Sequence, residues 1–173
     1  MISSSDFQNI SVLIFDIDGT LTDGKVTFMP DGTAVKFFNM QDMHWLKLAL
    51  RAGLEVCLLS GRGDQINRTL ADELHVTCAV LDAKDKIAGF ETLLNRISRS
   101  ADECLYAGDD VVDLPVIRRA AIGAAVANGV PELDEAAQWR TTASGGNGAA
   151  AEIVRRVLKE KGLYDKIMER YRR

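Results

Sequence analysis

Hydrophobic residues occur along this chain in short continuous runs that alternate with amphipathic stretches. Such runs are typical of strands buried in a sheet, and they lie at residues 12–17, 55–60, 76–81, 103–107 and 122–127, with a shorter one at 139–142. Apolar side chains at helical spacing fall between them, at residues 41–52, about 64–74, 85–97, 149–161 and 163–171. A further helix is expected after residue 107, with Pro115 in its early turns, where proline is tolerated. This strand–helix alternation predicts a parallel sheet with helices on both faces.

One segment departs from the alternation. Residues 25–29 and 33–38 are rich in β-forming residues and flank the turn tripeptide Pro-Asp-Gly, which predicts a β-hairpin over residues 25–38. Ser144–Ala151 is the one low-complexity stretch and is expected to form a flexible loop. We therefore predict a single α/β domain over residues 1–173, a Rossmann-like parallel sheet with a projecting hairpin and a C-terminal helical tail over residues 163–173.

Composition and charge exclude several classes of protein. The chain of 173 residues is 47% hydrophobic and 27% charged, which is normal for a globular protein. Its net charge of −4 and the lack of a basic run argue against nucleic-acid binding. No stretch approaches the ~20 apolar residues that span a bilayer, and no secretion signal is recognisable, so no membrane partner is expected. Three cysteines without CxxC spacing indicate free thiols and a reducing, cytoplasmic location.

Acidic residues cluster where two of the predicted strands end. Asp16 and Asp18 terminate the first strand, and strand alternation points them to the same side. Asp109, Asp110 and Asp113 follow the fourth strand. Ligands of such sheets bind at the carboxyl ends of the strands. A cation or a shared proton would offset the repulsion between these carboxylates, and oxygen ligands suit Mg²⁺. Capping of the following turns is the alternative explanation.

Two further strand ends carry groups suited to an anion. Ser60 and Gly61 precede a helix N-terminus, a natural anion site, although a serine N-cap explains the serine equally well. Lys86 lies in the first turn of a helix, where the helix dipole disfavours a cation. Its position suggests a nearby anionic ligand, with a solvated surface lysine as the alternative.

Together these residues resemble the motifs of the haloacid dehalogenase-like phosphohydrolases, from about Val12 to Leu158, with DIDGT and GDDVVD as the specific motifs. The resemblance implies that Asp16 is a nucleophile that forms an aspartyl-phosphate and that Asp18 is the general acid and base. It also implies that Ser60, Gly61 and Lys86 bind phosphoryl oxygens.

The same resemblance implies a Mg²⁺ site. Asp16, the backbone carbonyl of Asp18 and Asp109 would hold the ion, while Asp110 and Asp113 would support its waters and orient Lys86.

The spacing of the motifs leaves no room for a cap domain. Asp16 and Ser60 are 44 positions apart, and Ser60 and Lys86 are 26 apart, which a few local elements fill. A capless site needs cover from a large substrate or from another subunit. The hairpin places apolar residues at alternating positions, so we expect a homo-oligomer in which hairpins pack against neighbouring subunits.

The block DIDGTLTDG, the hairpin, KFFNMQD, LLSGR, GDDVVDLP and SGGNGA narrow the resemblance to a capless, tetrameric, cytoplasmic subfamily. It includes 3-deoxy-D-manno-octulosonate 8-phosphate phosphatases, which serve lipopolysaccharide biosynthesis, and phosphatases for nine-carbon sialic-type sugar acids. The expected partner is a small phosphorylated sugar acid, with Asn39, Asp42, Arg62 and Arg68 as candidate contacts.

Three departures from the subfamily pattern bear on the sugar end of the substrate. Met43 stands where glycine is usual, Asn147 replaces a cation of the glycine-rich loop, and the helix after Ser60 keeps only Arg62 and Arg68 of an arginine cluster. Another sugar phosphate is therefore an alternative substrate. A non-catalytic module that regulates a sugar-nucleotide synthase is the alternative from another class, and loss of a motif acid would favour it; none is lost.

Overall fold

The computed structural model describes residues 2–173 and is organised around a parallel six-stranded sheet. In spatial order its strands are β5 (Cys78–Val80), β4 (Glu55–Leu59), β1 (Val12–Phe15), β6 (Cys104–Gly108), β7 (Ile122–Ala125) and β8 (Trp139–Arg140). The chain starts at β1 in the middle, moves to one edge and then returns to build the other side. This reversal opens a crevice beyond the carboxyl end of β1, where such sheets bind ligands. The predicted fold class is confirmed.

Helices cover both faces of this sheet. They are α1 (Met40–Arg51), α2 (Gln65–Leu74), α3 (Lys86–Ile97), α4 (Leu114–Arg119), α5 (Ala149–Glu160) and α6 (Tyr164–Met168). Short 3₁₀ turns occupy Ser4–Phe7, Ala101–Glu103, Val111–Asp113, Pro131–Glu135 and Glu169–Tyr171. In residues 2–173 no helix has the length and apolar character needed to cross a membrane.

The alternation of side chains along the strands creates two cores, one on each face. Leu13 and Phe15 of β1 face the core under α1, α2 and α5, whereas Val12 and Ile14 face the core under α3 and α4. All four side chains are fully buried. Because both faces of β1 are covered, its sequence is a continuous apolar run, as the sequence pattern indicates.

The hairpin is much less regular than its sequence suggests. Only β2 (Thr27–Phe28) and β3 (Ala34–Val35) pair, in antiparallel register. The hairpin and α1 fill the interval between Asp16 and Ser60, and α2 and β5 fill the next interval, so neither holds a separately folded cap.

The glycine-rich loop before α5 packs closely against the loop that follows β1. A Cβ added to Gly145 would lie 1.8 Å from the carbonyl oxygen of Gly19, and one added to Gly146 would lie 2.4 Å from the carbonyl carbon of Thr22. The amide of Gly146, whose φ is +64°, also donates to the carbonyl of Thr20 at 3.1 Å. Two backbones therefore meet here with no space for side chains.

Candidate active site

Side chains from several strand ends line one cavity of about 310 Å³ at the carboxyl edge of the sheet. The lining residues are Asp16, Asp18, Gly24, Ser60, Gly61, Arg62, Lys86, Asp109, Asp110 and Val112. The fold thus brings together all the acids, the serine and the lysine that the motifs single out, with the exception of Asp113, which lies behind the wall.

Lys86 forms the floor of this cavity. Its ammonium group contacts the carboxylates of Asp16 and Asp113, and it lies 3.3 Å from the hydroxyl of Tyr106. Lys86 is 6% exposed and Asp16 is 4% exposed, so both charges are nearly removed from water. Burial alone would lower the pKa of Lys86, but the two carboxylates outweigh burial and raise it. The unusual position of this lysine at a helix N-terminus is therefore explained by its acidic partners.

Asp113 is fully buried and has every lone pair engaged. Its Oδ1 accepts a hydrogen bond from the hydroxyl of Tyr106 at 2.6 Å and is the oxygen that contacts Lys86. Its Oδ2 accepts from the amides of Asp109 and Asp110 at 2.9 and 3.1 Å. Asp113 thus fixes both Lys86 and the loop after β6.

Asp110 does not share this role. Its carboxylate accepts a hydrogen bond from the amide of Val111 at 2.7 Å and makes no contact with Lys86. The expectation that Asp110 orients Lys86 is corrected: Asp113 does so, whereas Asp110 caps a 3₁₀ turn at the rim of the cavity.

Asp16 and Asp109 form an oxygen donor set that fits a divalent cation. One carboxylate oxygen from each of Asp16, Asp109 and Asp113 lies within 4.8 Å of the others. Burial raises the pKa of Asp109 to about 6, with a further contribution from the nearby charge of Asp113. Burial likewise raises the pKa of Asp16, although Lys86 opposes it. A cluster of acids that resists ionisation in this way is stabilised by a bound cation.

The loop after β1 leaves just enough room for Asp109. Gly19 has a φ of +103°, and a Cβ added there would lie 1.9 Å from Oδ2 of Asp109. The hydroxyl of Thr20 donates to the other oxygen of Asp109 at 3.3 Å. The motif residues Gly19 and Thr20 therefore serve to seat this carboxylate beside Asp16.

Asp18 contacts two residues that the sequence analysis did not select. Its Oδ1 lies 2.7 Å from Nζ of Lys36, and its Oδ2 accepts from Nδ2 of Asn67 at 3.2 Å. Lys36 is 8% exposed and Asn67 is fully buried. Lys36 is the first residue of the segment KFFNMQD. It is the single charged residue in an otherwise apolar strand segment, and that pattern could have identified it.

Ser60 and Arg62 also line the cavity. The hydroxyl oxygen of Ser60 accepts from the amide of Arg62 at 3.1 Å and from Nδ2 of Asn67 at 3.2 Å. Ser60 is buried, whereas Arg62 is exposed at the mouth of the cavity. The carbonyl of Gly61 accepts from Lys84 at 2.8 Å. The serine hydroxyl and the arginine thus face the space beside Asp16 and Lys86.

Three of the candidate substrate contacts lie away from this cavity. Asp42 is 1% exposed, and its carboxylate accepts from the amides of Gly148 and Ala151 at 3.0 and 2.8 Å. Asn39 caps α1 by accepting from the amide of Gln41 at 2.8 Å. Arg68 lines a different cavity, between α2 and the edge strand β5. The structure corrects the expectation for Asp42, which caps α5 because its helix face packs on that helix.

The sheet topology, the acid pairs and the buried lysine together define a haloacid dehalogenase-like hydrolase, and the family model of that name matches residues 82–153. The chain is 31% identical to 3-deoxy-D-manno-octulosonate 8-phosphate phosphatase KdsC of Escherichia coli over 158 residues, which are 91% of this chain and 84% of that protein. The chain belongs to this phosphatase family.

Solved structures agree with this assignment. The 3-deoxy-D-manno-octulosonate 8-phosphate phosphatase of Moraxella catarrhalis, crystallised with Mg²⁺, phosphate and KDO, superposes with a TM-score of 0.93 at 28% identity over 97% of both chains. The cobalt-bound enzyme from Haemophilus influenzae gives a TM-score of 0.88 at 30% identity, over 92% of this chain and 93% of that one.

Proposed function

We propose that this protein is a Mg²⁺-dependent phosphatase that hydrolyses 3-deoxy-D-manno-octulosonate 8-phosphate or a closely similar sugar-acid phosphate, a step of lipopolysaccharide biosynthesis. The observation that carries the proposal is the meeting of Asp16, Asp18, Lys86 and Asp109 around one cavity. The relatives support this substrate, because KdsC of Escherichia coli is a 3-deoxy-D-manno-octulosonate 8-phosphate phosphatase and the Moraxella catarrhalis enzyme was crystallised with KDO.

The chemistry follows from the positions of two carboxylates. Asp16 attacks the phosphorus atom, and the bond from phosphorus to the sugar oxygen breaks while Asp18 donates a proton to that oxygen. The freed alcohol leaves, and Asp18 then takes a proton from a water molecule as the water oxygen attacks the aspartyl-phosphate. The bond from phosphorus to Asp16 breaks, which releases phosphate and restores both acids.

The remaining residues stabilise the transferring phosphoryl group. Lys86 and the hydroxyl of Ser60, with the backbone at Gly61, face the cavity and are placed to meet its oxygens. Asp16, Asp109 and the backbone carbonyl of Asp18 would hold Mg²⁺, which when bound neutralises charge between the attacking carboxylate and the phosphate. Arg62, at the mouth, is the candidate contact for the sugar carboxylate.

The hairpin supports a homo-oligomer, for which we propose a tetramer. Phe28 and Phe37 on the hairpin and Met40 at the start of α1 are at least 70% exposed, an unusual density of exposed large apolar side chains. We propose one domain over residues 1–173, and within the described residues 2–173 no separately folded cap covers the open cavity. Sedimentation at micromolar concentration should show an oligomer, and a Phe28→Ser, Phe37→Ser variant should shift toward the monomer; a monomeric wild type would contradict this.

Two alternatives are weighed against this function. A nine-carbon sialic-type sugar acid phosphate requires the same chemistry and differs only at the sugar end. A non-catalytic regulatory module would not need Asp16 or Asp18, both of which lie in the cavity. The cytoplasmic location stays a prediction, supported by the three free cysteines.

Hydrolysis of a panel of phosphate esters tests the proposal. Purified protein is assayed for phosphate release from 3-deoxy-D-manno-octulosonate 8-phosphate, a nine-carbon sugar acid phosphate, glucose 6-phosphate and p-nitrophenyl phosphate, with Mg²⁺ and with a chelator. Asp16→Asn should abolish turnover of all four, while Asp102→Asn, at an exposed acid remote from the cavity, should leave it unchanged. Equal activity of wild type and Asp16→Asn would refute the catalytic function, and a preference for glucose 6-phosphate would refute the substrate class.

A further inference from the structure

The buried ammonium group of Lys36 has a role that the steps above do not use. Lys36 follows β3 on the hairpin, and its side chain is 0% exposed, although lysine side chains normally reach solvent. Its Nζ lies 2.7 Å from Oδ1 of Asp18 and 2.7 Å from Oδ2 of Asp64, and it donates to Oδ1 of Asn67 at 2.9 Å. The ammonium group therefore hydrogen-bonds to Asp64 and Asn67 and forms a close ion pair with Asp18.

The first turn of α2 completes the arrangement. Asp64 caps this helix by accepting from the amide of Asn67 at 2.9 Å. Nδ2 of Asn67 lies 3.2 Å from both Oδ2 of Asp18 and the hydroxyl oxygen of Ser60. The two oxygens of Asp18 are thus held from two directions, by the hairpin through Lys36 and by α2 through Asn67.

Lys36 shares its buried position with the carboxylates of Asp18 and Asp64. Burial alone would raise the pKa of Asp64, but hydrogen bonds from Lys36 and from the amide of Asn67 outweigh it and lower that pKa. A buried ammonium group carries a desolvation cost of several kcal/mol that only well-placed partners offset. An apolar residue would close the same space at no such cost, so the charge points to a requirement for a fixed carboxylate.

We propose that Lys36 is a positioning residue that holds the carboxylate of Asp18 at the wall of the active-site cavity. The inference rests on the proposed phosphatase function, in which Asp18 must meet the leaving oxygen of the sugar. Lys36 itself does not line the cavity and acts only through Asp18. A catalytic acid displaced by ~1 Å loses on the order of 100-fold in rate.

The choice of leaving group separates this role from a general structural one. A sugar phosphate releases an alkoxide, which must be protonated as it leaves, whereas p-nitrophenyl phosphate releases a stable phenolate that does not need the acid. The value of kcat/KM reports the steps up to the first phosphoryl transfer. The ratio of kcat/KM on the two substrates therefore measures only the contribution of the general acid to that transfer. That ratio is independent of the fraction of folded enzyme, so partial unfolding of a variant does not obscure it.

The experiment compares Lys36→Met, Lys36→Arg and Asn67→Leu with wild type and with Lys25→Met. Lys25 lies on the same hairpin and its side chain is 85% exposed, which makes it the matched control. For Lys36→Met we expect kcat/KM to fall ~100-fold on 3-deoxy-D-manno-octulosonate 8-phosphate and less than ~5-fold on p-nitrophenyl phosphate. Lys36→Arg should recover part of the loss, and Lys25→Met should match wild type.

The outcomes distinguish this inference from the function on which it rests. A ratio that stays at the wild-type value in Lys36→Met, in an enzyme whose wild type is active on both esters, overturns the positioning role alone. A wild type that hydrolyses neither ester overturns the proposed function and the positioning role with it. If the ratio changes less in Asn67→Leu than in Lys36→Met, then Lys36 on the hairpin contributes more than Asn67 to positioning Asp18.

Discussion

Replacement of Asp42 by alanine should destabilise the protein without altering the substrate site. The side chain projects from the first turn of α1 and is buried against the N-terminus of α5, where its carboxylate accepts hydrogen bonds from the amides of Gly148 and Ala151. Removing the carboxylate leaves one buried and one partly buried donor without partners at the positive end of a helix dipole. The structure therefore assigns Asp42 a purely architectural role.

The two hydrogen bonds to Asp42 set the size of the expected loss in stability. Hydrogen bonds to a charged group contribute about 1.5–3 kcal/mol each. Burial raises the pKa of Asp42 above its unfolded value despite the amides of Ala151 and Gly148. Because the pKa is higher in the folded state, keeping this carboxylate ionised at neutral pH costs free energy in the folded protein. That cost offsets part of the stability that the two hydrogen bonds contribute. We therefore expect Asp42→Ala to lose ~3 kcal/mol, which lowers Tm by roughly 10 °C in a chain of this size.

Urea unfolding and steady-state kinetics measured on the same preparations test this expectation. Asp42→Asn, which keeps one acceptor oxygen, should lose about half as much stability. Gln41→Ala is the control, because Gln41 is exposed in the same helical turn. KM for the sugar phosphate should match wild type in all three variants. A variant Asp42→Ala with the stability of Gln41→Ala and a raised KM would show that Asp42 touches the substrate after all.

Three other expectations concern the metal site and the lysine. Gly19→Ala should weaken Mg²⁺ binding and activity at least ~10-fold, measured by titration calorimetry, because its Cβ would overlap Asp109; wild-type affinity would refute the close contact. The pKa of Asp109, about 6 in the metal-free fold, lies above its unfolded value, so metal-free stability should fall as pH rises from about 4 to 6. Mg²⁺ should accordingly raise Tm more at about pH 7 than at about pH 5, and an equal rise would contradict this. Asp113→Asn should lower the free energy of unfolding by ~2–4 kcal/mol and remove most of the turnover, because it weakens the ion pair that positions Lys86. Full activity of this variant would argue against that role of Asp113.

The parallel sheet and the meeting of the proposed catalytic acids could be predicted from the sequence for a definite reason. Continuous apolar runs mark strands buried on both faces, and parallel strands end at a common edge. Asp16, Ser60 and Asp109 each follow such a run, so their meeting in one cavity needs no knowledge of side-chain packing. Lys86 was identified by a local conflict with the helix dipole, which its acidic partners resolve.

The features that the sequence did not reveal depend on contacts between distant segments. Lys36 and Asn67 contact Asp18, and Asp64 contacts Lys36, yet nothing local to any one of them indicates the others. Asp42 lies in a helical turn near the hairpin, and its sequence position alone suggests a substrate contact. The packing of α5 on α1 gives it a different partner, the amide of Ala151. Polar residues are ambiguous in this way because the same side chain can cap a helix or meet a ligand, and only the rotation of the helix decides.

The backbone contact between the glycine-rich loop and the loop after β1 has a practical consequence for engineering. An epitope, fluorophore or linker inserted at Gly145 would push on Gly19 and, through it, on Asp109. Gly162, between α5 and α6, has open space where a Cβ would project, although its φ of +68° disfavours a simple substitution. Reporter sequences are therefore better inserted at that junction, where added chain extends outward and leaves Asp16 and Asp109 undisturbed.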